Sequence, residues 1–154
     1  MLCQDHRSGE RDRRSVLGCA RSEKDLKMVA GYDKKRESVK MTTEAKIFHI
    51  NEIPWVDLGD GHLDKTMVTE PKTGMIVNVS HYPKGYSMGW HKHHCAHGMY
   101  LIEGAMQTNL GIVRQGEFVW FPEETPMDHG ATALEDCTFL FITNAPFDIE
   151  RLEK

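Results

Sequence analysis

The chain has 154 residues, 40% of them hydrophobic, and a formal net charge of -4, so it is long enough for one ordinary domain with a real core but not for two. The acidic balance argues against nucleic acid and anionic membranes as partners, because both attract a basic surface. The sequence has neither an apolar window long enough to span a bilayer nor the apolar core of a secretory signal. We therefore expect a cytoplasmic protein that binds a small molecule, with no nucleic acid and no membrane as partner.

Charge divides the chain into two unequal parts. Residues 1–40 contain eleven Lys or Arg against seven Asp or Glu, whereas residues 41–154 contain eight against sixteen. The first part also contains no Phe or Trp, so it cannot bury enough surface to offset its ordering entropy. We expect residues 1–40 to be a disordered basic segment with one short helix over residues 22–29, and residues 41–154 to form the folded domain. The segment is either a regulatory tail or lies upstream of the true initiator, Met41.

After Met41 the sequence is typical of a β protein. The runs KIFHINEIPWV, GMIVNVSHY, GMYLIEG, GEFVWFP and CTFLFITNA are rich in β-branched and aromatic residues, and none has a sustained helical period. Turn residues recur about every dozen positions, near residues 59–61, 70–74, 83–85, 109–111 and 123–126. This rhythm predicts an all-β sandwich or small barrel in which helix contributes a turn or two.

Four histidines are concentrated in the first seven residues of HKHHCAHGMYLIEG, which begins at His91. Residues two apart in a strand share a face, so His91 and His93 point one way and His94 points the other. A tight connection after His93 would bring His97 back across the strand that carries the pair. The spacing therefore predicts that three imidazoles converge on one side of a sheet.

The segment GYSMGWHKHHCAHGMYLIEG resembles the first motif of the cupin superfamily, with Gly85, His91, His93 and Gly104 in register. His97 occupies the slot where that motif has a glutamate. The second cupin motif resembles GEFVWFPEETPMDHGA through its first glycine and its proline, and then the two diverge. Met127 takes the strict histidine slot and His129 comes two positions later, a shift that preserves the facing of a strand.

The resemblance covers roughly residues 45 to 147 and implies a cupin jelly roll, a double-stranded β-helix barrel with a metal near its centre. The stretches FVWFPE, DHGAT and FITNAPFDI are similar to those of small single-domain cupins, a group that includes acetylacetone-cleaving and dihydroxyacetophenone dioxygenases and the ChrR-type anti-sigma proteins. The resemblance thus implies a divalent transition metal held by the following histidines: His91, His93, His97 and His129. His97 is either a metal ligand or a neighbour that orients one.

Two functions follow from the resemblance. The first is an Fe(II) dioxygenase that cleaves a carbon–carbon bond of a small ketone or diketone. The second is a non-catalytic zinc cupin that senses a ligand or binds a partner, as ChrR-type proteins do. Imidazole ligands alone do not choose between iron and zinc. By analogy with other cupins we also expect a homodimer, formed through sheet edges.

The remaining chemically active residues have expected places in this barrel. The four cysteines include no CxxC pair, which indicates reduced thiols, with Cys95 packed at the barrel mouth and Cys137 in the core. His81 either faces the pocket or is a hydrogen-bonded strand residue. Four large side chains either line an apolar pocket or fill the barrel: Trp90, Met99, Trp120 and Phe141.

Overall fold

The structure, a computed structural model, describes residues 44–153, so the predictions for residues 1–40 lie outside it. The described residues form one short 3-10 helix, Ile50–Glu52, and ten strands. The strands are β1 (Val56–Gly59), β2 (His62–Thr69), β3 (Ile76–Tyr82), β4 (His91–Lys92), β5 (His97–Thr108), β6 (Gly111–Arg114), β7 (Phe118–Phe121), β8 (His129–Ala131), β9 (Cys137–Thr143) and β10 (Glu150–Arg151).

Eight of these strands form one curled antiparallel sheet, ordered β1-β2-β3-β9-β5-β6, with β7 and β8 also paired to β5. Strands β4 and β10 form a separate two-stranded ladder. The sequence of β9, CTFLFIT, alternates strictly between buried and half-buried positions, as a strand with one face in a core requires. The predicted all-β cupin jelly roll is confirmed. Among residues 44–153, no helix is long and apolar enough to cross a membrane.

Strand β5 is the longest strand, and it pairs with β7 and β9 along its first half and with β6 and β8 along its second. It can serve both halves because the chain bends at Gly104, which has a φ of 76°. A Cβ atom there would lie 1.9 Å from the carbonyl oxygen of Asp136. Both the left-handed backbone and the close approach require glycine, which gives a physical reason for this glycine of the first motif.

The five predicted turns are confirmed, but the first predicted strand is wrong. Of the run KIFHINEIPWV, only the last residue, Val56, belongs to a strand, and the short helix interrupts the rest. Pro54 lacks the N–H that a central strand would use. The carbonyl of Ile50 instead accepts a hydrogen bond from Nζ of Lys65, at 2.9 Å, so this segment lies against the sheet as a cover.

Away from its histidines the barrel interior is mainly apolar, and Asp64 is its one buried carboxylate among the described residues. Its buried side chains include Met99, Leu101, Met106, Phe121, Phe139 and Phe141. Asp64 is also buried, and it accepts hydrogen bonds from Asn78 Nδ2 at 2.9 Å and from Ser80 Oγ at 2.6 Å. Nε2 of His62 lies 3.2 Å from the same carboxylate. These partners make the burial of a carboxylate tolerable, because an unpaired buried charge costs several kcal/mol.

Candidate metal centre

Two separated parts of the chain bring their histidines to one end of the barrel. The backbone N–H and carbonyl of His91 bond to the carbonyl and N–H of Met127, at 2.9 and 2.8 Å. The N–H of Glu124 donates to the carbonyl of His93 at 2.8 Å. These bonds place the loop before β8 beside β4, so that His129, at the start of β8, enters the same interior space as the pair on the first motif.

His91, His93 and His129 form a group that could hold a metal ion. One ring nitrogen from each lies within 4.8 Å of the others, and all three side chains are buried. The ring centroids of His91 and His93 are 4.8 Å apart, as are those of His91 and His129. Lys92 is only half-buried and His94 is exposed, so the predicted alternation of this segment is confirmed.

His97 lies beside this group but outside it. Its side chain is fully buried, and its ring centroid lies 4.7 Å from that of His93 and 6.2 Å from that of His129. Neither ring nitrogen of His97 has a hydrogen-bond partner. The imidazole is therefore close enough to act on the centre, and its role as a fourth ligand stays a prediction.

Backbone carbonyls orient two of the three grouped histidines. Nδ1 of His91 lies 2.6 Å from the carbonyl oxygen of Gly89, and Nδ1 of His93 contacts the carbonyl oxygen of Asp148. A carbonyl only accepts, so each Nδ1 must carry the proton and each Nε2 must present its lone pair. Nε2 of His91 is buried without a hydrogen-bond partner. Metal-binding histidines ordinarily make such a contact through the ring nitrogen that does not bind the metal, and here Nδ1 makes it with a backbone carbonyl.

The ladder between β4 and β10 holds the first-motif histidines in place. Arg151 pairs with His91 and Glu150 with Lys92, while the guanidinium of Arg151 donates to the carbonyl of Met88. The N–H of Leu152 donates to the carbonyl of Trp90 at 3.0 Å. Residues 150–152 therefore stabilise the position of the segment that carries His91 and His93.

Burial keeps the histidines uncharged at neutral pH. Desolvation lowers the pKa of His91 to about 4 and that of His97 to about 3. The same cause lowers the pKa of His93 and places that of His129 well below its ordinary value. His94 faces outward, and a hydrogen bond to Asp148 raises its pKa. Neutral imidazoles with unpartnered buried nitrogens are the donor set that a late first-row dication requires, so such a metal fits these residues.

Aromatic rings enclose the histidines. The rings of Phe121 and Phe141 lie 5.4 and 5.2 Å from that of His97, and Phe147 lies 4.8 Å from His93. Tyr82 stacks on His129 at 6.1 Å. A cation bound here would be shielded from water, and its other neighbours would be apolar.

Other residues singled out from the sequence lie elsewhere. His81 is a strand residue whose Nδ1 lies 3.1 Å from Oγ1 of Thr138, which is the second of its two predicted roles. Trp120 is exposed, so its predicted place in the interior is wrong. Cys95 and Cys137 are free and buried, as expected, and Cys95 is outside the histidine group. Sequence reasoning missed the orienting carbonyls of Gly89 and Asp148, because any residue type supplies a carbonyl.

This barrel and its histidine cluster define a cupin. The chain belongs to the ChrR Cupin-like domain family, whose profile matches residues 43–148. None of the curated proteins compared with the chain matches it.

Solved structures with the same fold belong to proteins that are described as having diverse functions. A putative acetylacetone dioxygenase from Methylibium petroleiphilum has a TM-score of 0.63 and 14% identity, over 75% of this chain and 85% of that one. The polyketide cyclase RemF from Streptomyces resistomycificus has a TM-score of 0.62 and 14% identity, over 72% and 87%. The complex of SigE with the anti-sigma ChrR from Rhodobacter sphaeroides has a TM-score of 0.53 and 20% identity, over 61% of this chain and 50% of that one. At these identities the likeness shows the fold alone.

Proposed function

We propose that this cupin is an Fe(II)-dependent dioxygenase that cleaves a carbon–carbon bond of a small ketone or diketone. The observation that carries the proposal is the donor set, three buried neutral histidines without a carboxylate. Such ligands leave the charge of a bound dication uncompensated in a low-dielectric site. The centre therefore favours an anionic ligand, and the enolate of a ketone or diketone is a small anion of this kind.

The number of ligands also supports an oxygenase. Three protein donors on a six-coordinate metal leave three positions, enough for a chelating substrate and for dioxygen. Bound iron would supply the redox chemistry that joins dioxygen to the substrate. If His97 became a fourth ligand, only two positions would remain, and a chelating substrate would fill both. A metal held by His91, His93 and His129 alone would therefore support catalysis, whereas four histidine ligands would favour purely structural binding.

The residues around the histidines suit a small, largely apolar substrate. Phe121, Phe141 and Phe147 contact the histidine rings, and their apolar surfaces would exclude water and pack against a compact carbon skeleton. The carbonyl contacts of His91 and His93 would hold both ligands in place while the substrate exchanges.

The alternative is a non-catalytic zinc cupin that senses a ligand or binds a partner. The specific observation in its favour is the family match, because the ChrR Cupin-like domain covers residues 43–148. In that case zinc would stabilise the barrel, and all four histidines would be free to act as ligands.

Metal analysis and oxygen uptake discriminate the two. Full-length protein purified without oxygen should contain iron and should consume dioxygen when β-diketones or hydroxyacetophenones are added. A His91→Ala, His93→Ala double variant should lose both the metal and the uptake. The matched control is His94→Ala, which removes the outward-facing histidine of the same segment and should keep both.

Tight zinc with no iron would favour the alternative. Iron-loaded protein without uptake on any member of the panel would contradict the ketone or diketone as substrate.

A further inference from the structure

The outer face of the sheet carries two long rows of apolar side chains, aligned across five strands. In each row, residues on neighbouring strands are register partners. One row is Phe118, Tyr100, Leu140, Val79 and Lys65, and the other is Trp120, Gly98, Ile142, Val77 and Val68. The ring of Phe118 reaches over Gly98, where a Cβ atom would come 2.2 Å from Cζ of Phe118. Within these two rows the one charged side chain is Lys65, at one end.

The chain itself covers that charged end. Residues before β1 lie across it, with the ring of Trp55 4.6 Å from Nζ of Lys65 and the carbonyl of Ile50 bonded to the same nitrogen. Lys65 is consequently only 7% exposed and Val79 only 4%. A groove of about 630 Å³ separates this segment from Ile102 on β5.

The other end of the face is open within the part of the chain that the structure describes. We call it the β5–β7 patch and define it by four side chains: Tyr100, Ile102, Phe118 and Trp120. They are 43, 40, 55 and 50% exposed, respectively. Since an aromatic side chain offers about 150–250 Å², three of them near half exposure leave on the order of 300 Å² of aromatic surface in water. Ile102, and the half-buried Leu140 and Ile142, enlarge the patch further, into the range of the largest apolar patches on monomers, which are often functional.

The composition of the patch favours a second copy of this chain over other occupants. The patch contains no charged residue, so it offers no charge pattern for a partner of opposite sign. Residues 1–40 contain no Phe or Trp, so they would bring little aromatic surface of their own to such a contact. A second copy brings the same apolar face, and two such faces can pack as the sheets of a sandwich do.

The size and the charge of the surface both bear on this choice. A standard interface buries about 800 Å² on each partner, so a dimer contact centred on the patch would also bury its half-buried neighbours, Leu140 and Ile142, and its rim. Two chains that each carry a net charge of -4 repel each other, and they can approach closely through a surface that is free of charge.

We propose that the β5–β7 patch is the homodimer interface of this protein, packed face to face about a two-fold axis. This assignment differs from pairing through sheet edges, because the contact is made by side chains and not by backbone hydrogen bonds. The test measures the mass of the full-length chain by sedimentation velocity over a wide range of micromolar concentrations. The wild type should sediment at twice the mass of one chain.

A Tyr100→Lys, Trp120→Lys double variant should raise the dissociation constant of the dimer by at least about 100-fold, since it would bury two like charges against each other. Its circular dichroism and metal content should not change, because both side chains already reach solvent in one chain. Leu134→Lys is the matched control, as this residue is 90% exposed in the loop between β8 and β9, and it should leave the dimer intact.

A wild type that is monomeric at every concentration would overturn the proposal. The occupant of the patch would then be residues 1–43 or another protein. A dimer that persists in the double variant would place the interface elsewhere and would also overturn it.

Discussion

Acid should destabilise the metal-free protein strongly between pH 7.5 and 5.0. An unfolded histidine takes up a proton near pH 6.5, whereas burial delays protonation to about pH 4 for His91 and about pH 3 for His97. Between these values the unfolded chain binds more protons than the folded one, so the free energy of unfolding falls as the pH falls. The stability is fully present above pH 6.5 and is lost progressively below it.

The size of the effect follows from these pKa values. At pH 5.0 each of the two histidines lowers the free energy of unfolding by about 2 kcal/mol relative to pH 7.5, or about 4 kcal/mol together. His93 and His129 shift in the same direction and add to the loss. Since small domains are stable by about 5–15 kcal/mol, the metal-free protein should be close to unfolding at pH 5.0. His94, whose pKa is raised by Asp148, acts with the opposite sign.

Urea denaturation of chelator-treated, full-length protein at several pH values measures this loss. His97→Asn removes one of the titrating rings and should give a shallower dependence on pH. His94→Asn is the matched control and should give a dependence at least as steep as that of the wild type. A free energy of unfolding that changes by less than about 1 kcal/mol over this range would refute the reasoning, because it would mean that the folded histidines accept protons as readily as the unfolded ones.

Three further predictions concern buried positions of the barrel. Gly130→Ala should lower the melting temperature sharply and weaken metal binding, because its Cβ would lie 2.0 Å from the carbonyl oxygen of Tyr86; a variant as stable as the wild type would contradict the close packing at β8. Asp64→Ala should cost about 2–4 kcal/mol in urea denaturation, since it leaves buried donors without their acceptor; a neutral effect would show that water replaces the carboxylate. Burial raises the pKa of the Cys95 thiol to about 11 and that of Cys137 to about 12, so iodoacetamide at pH 8 should label neither thiol until the protein unfolds, as peptide mass spectrometry would detect.

The parts of the fold that could be predicted are those that depend on local patterns. Turn residues fixed the positions of five turns, and the period of two in a strand placed His91 and His93 on one face and His94 on the other. The same period explains why His129 still enters the interior although it stands two positions away from the usual slot. In each case a short segment contains all the information that the prediction needs.

The parts that could not be predicted depend on distant contacts or on unbroken apolar runs. FVWF in β7 is apolar at every position, so its sequence does not reveal that Val119 and Phe121 face inward while Trp120 faces outward. The contact of His93 with the carbonyl of Asp148 joins residues 55 positions apart. A backbone carbonyl leaves no trace in the sequence, and only the path of the chain reveals it.

The segment around β10 supplies contacts to the centre that are synthesised after all of its histidines. All the histidines of the cluster have been synthesised once the ribosome reaches residue 129, but the carbonyl that orients His93 and the arginine beside His91 belong to residues 148 and 151. A nascent chain therefore carries every imidazole for some time without the contacts that aim two of them. The metal would be bound tightly only after residues 148–151 have been synthesised, and ribosome-bound fragments that stop before residue 148 should bind it only weakly.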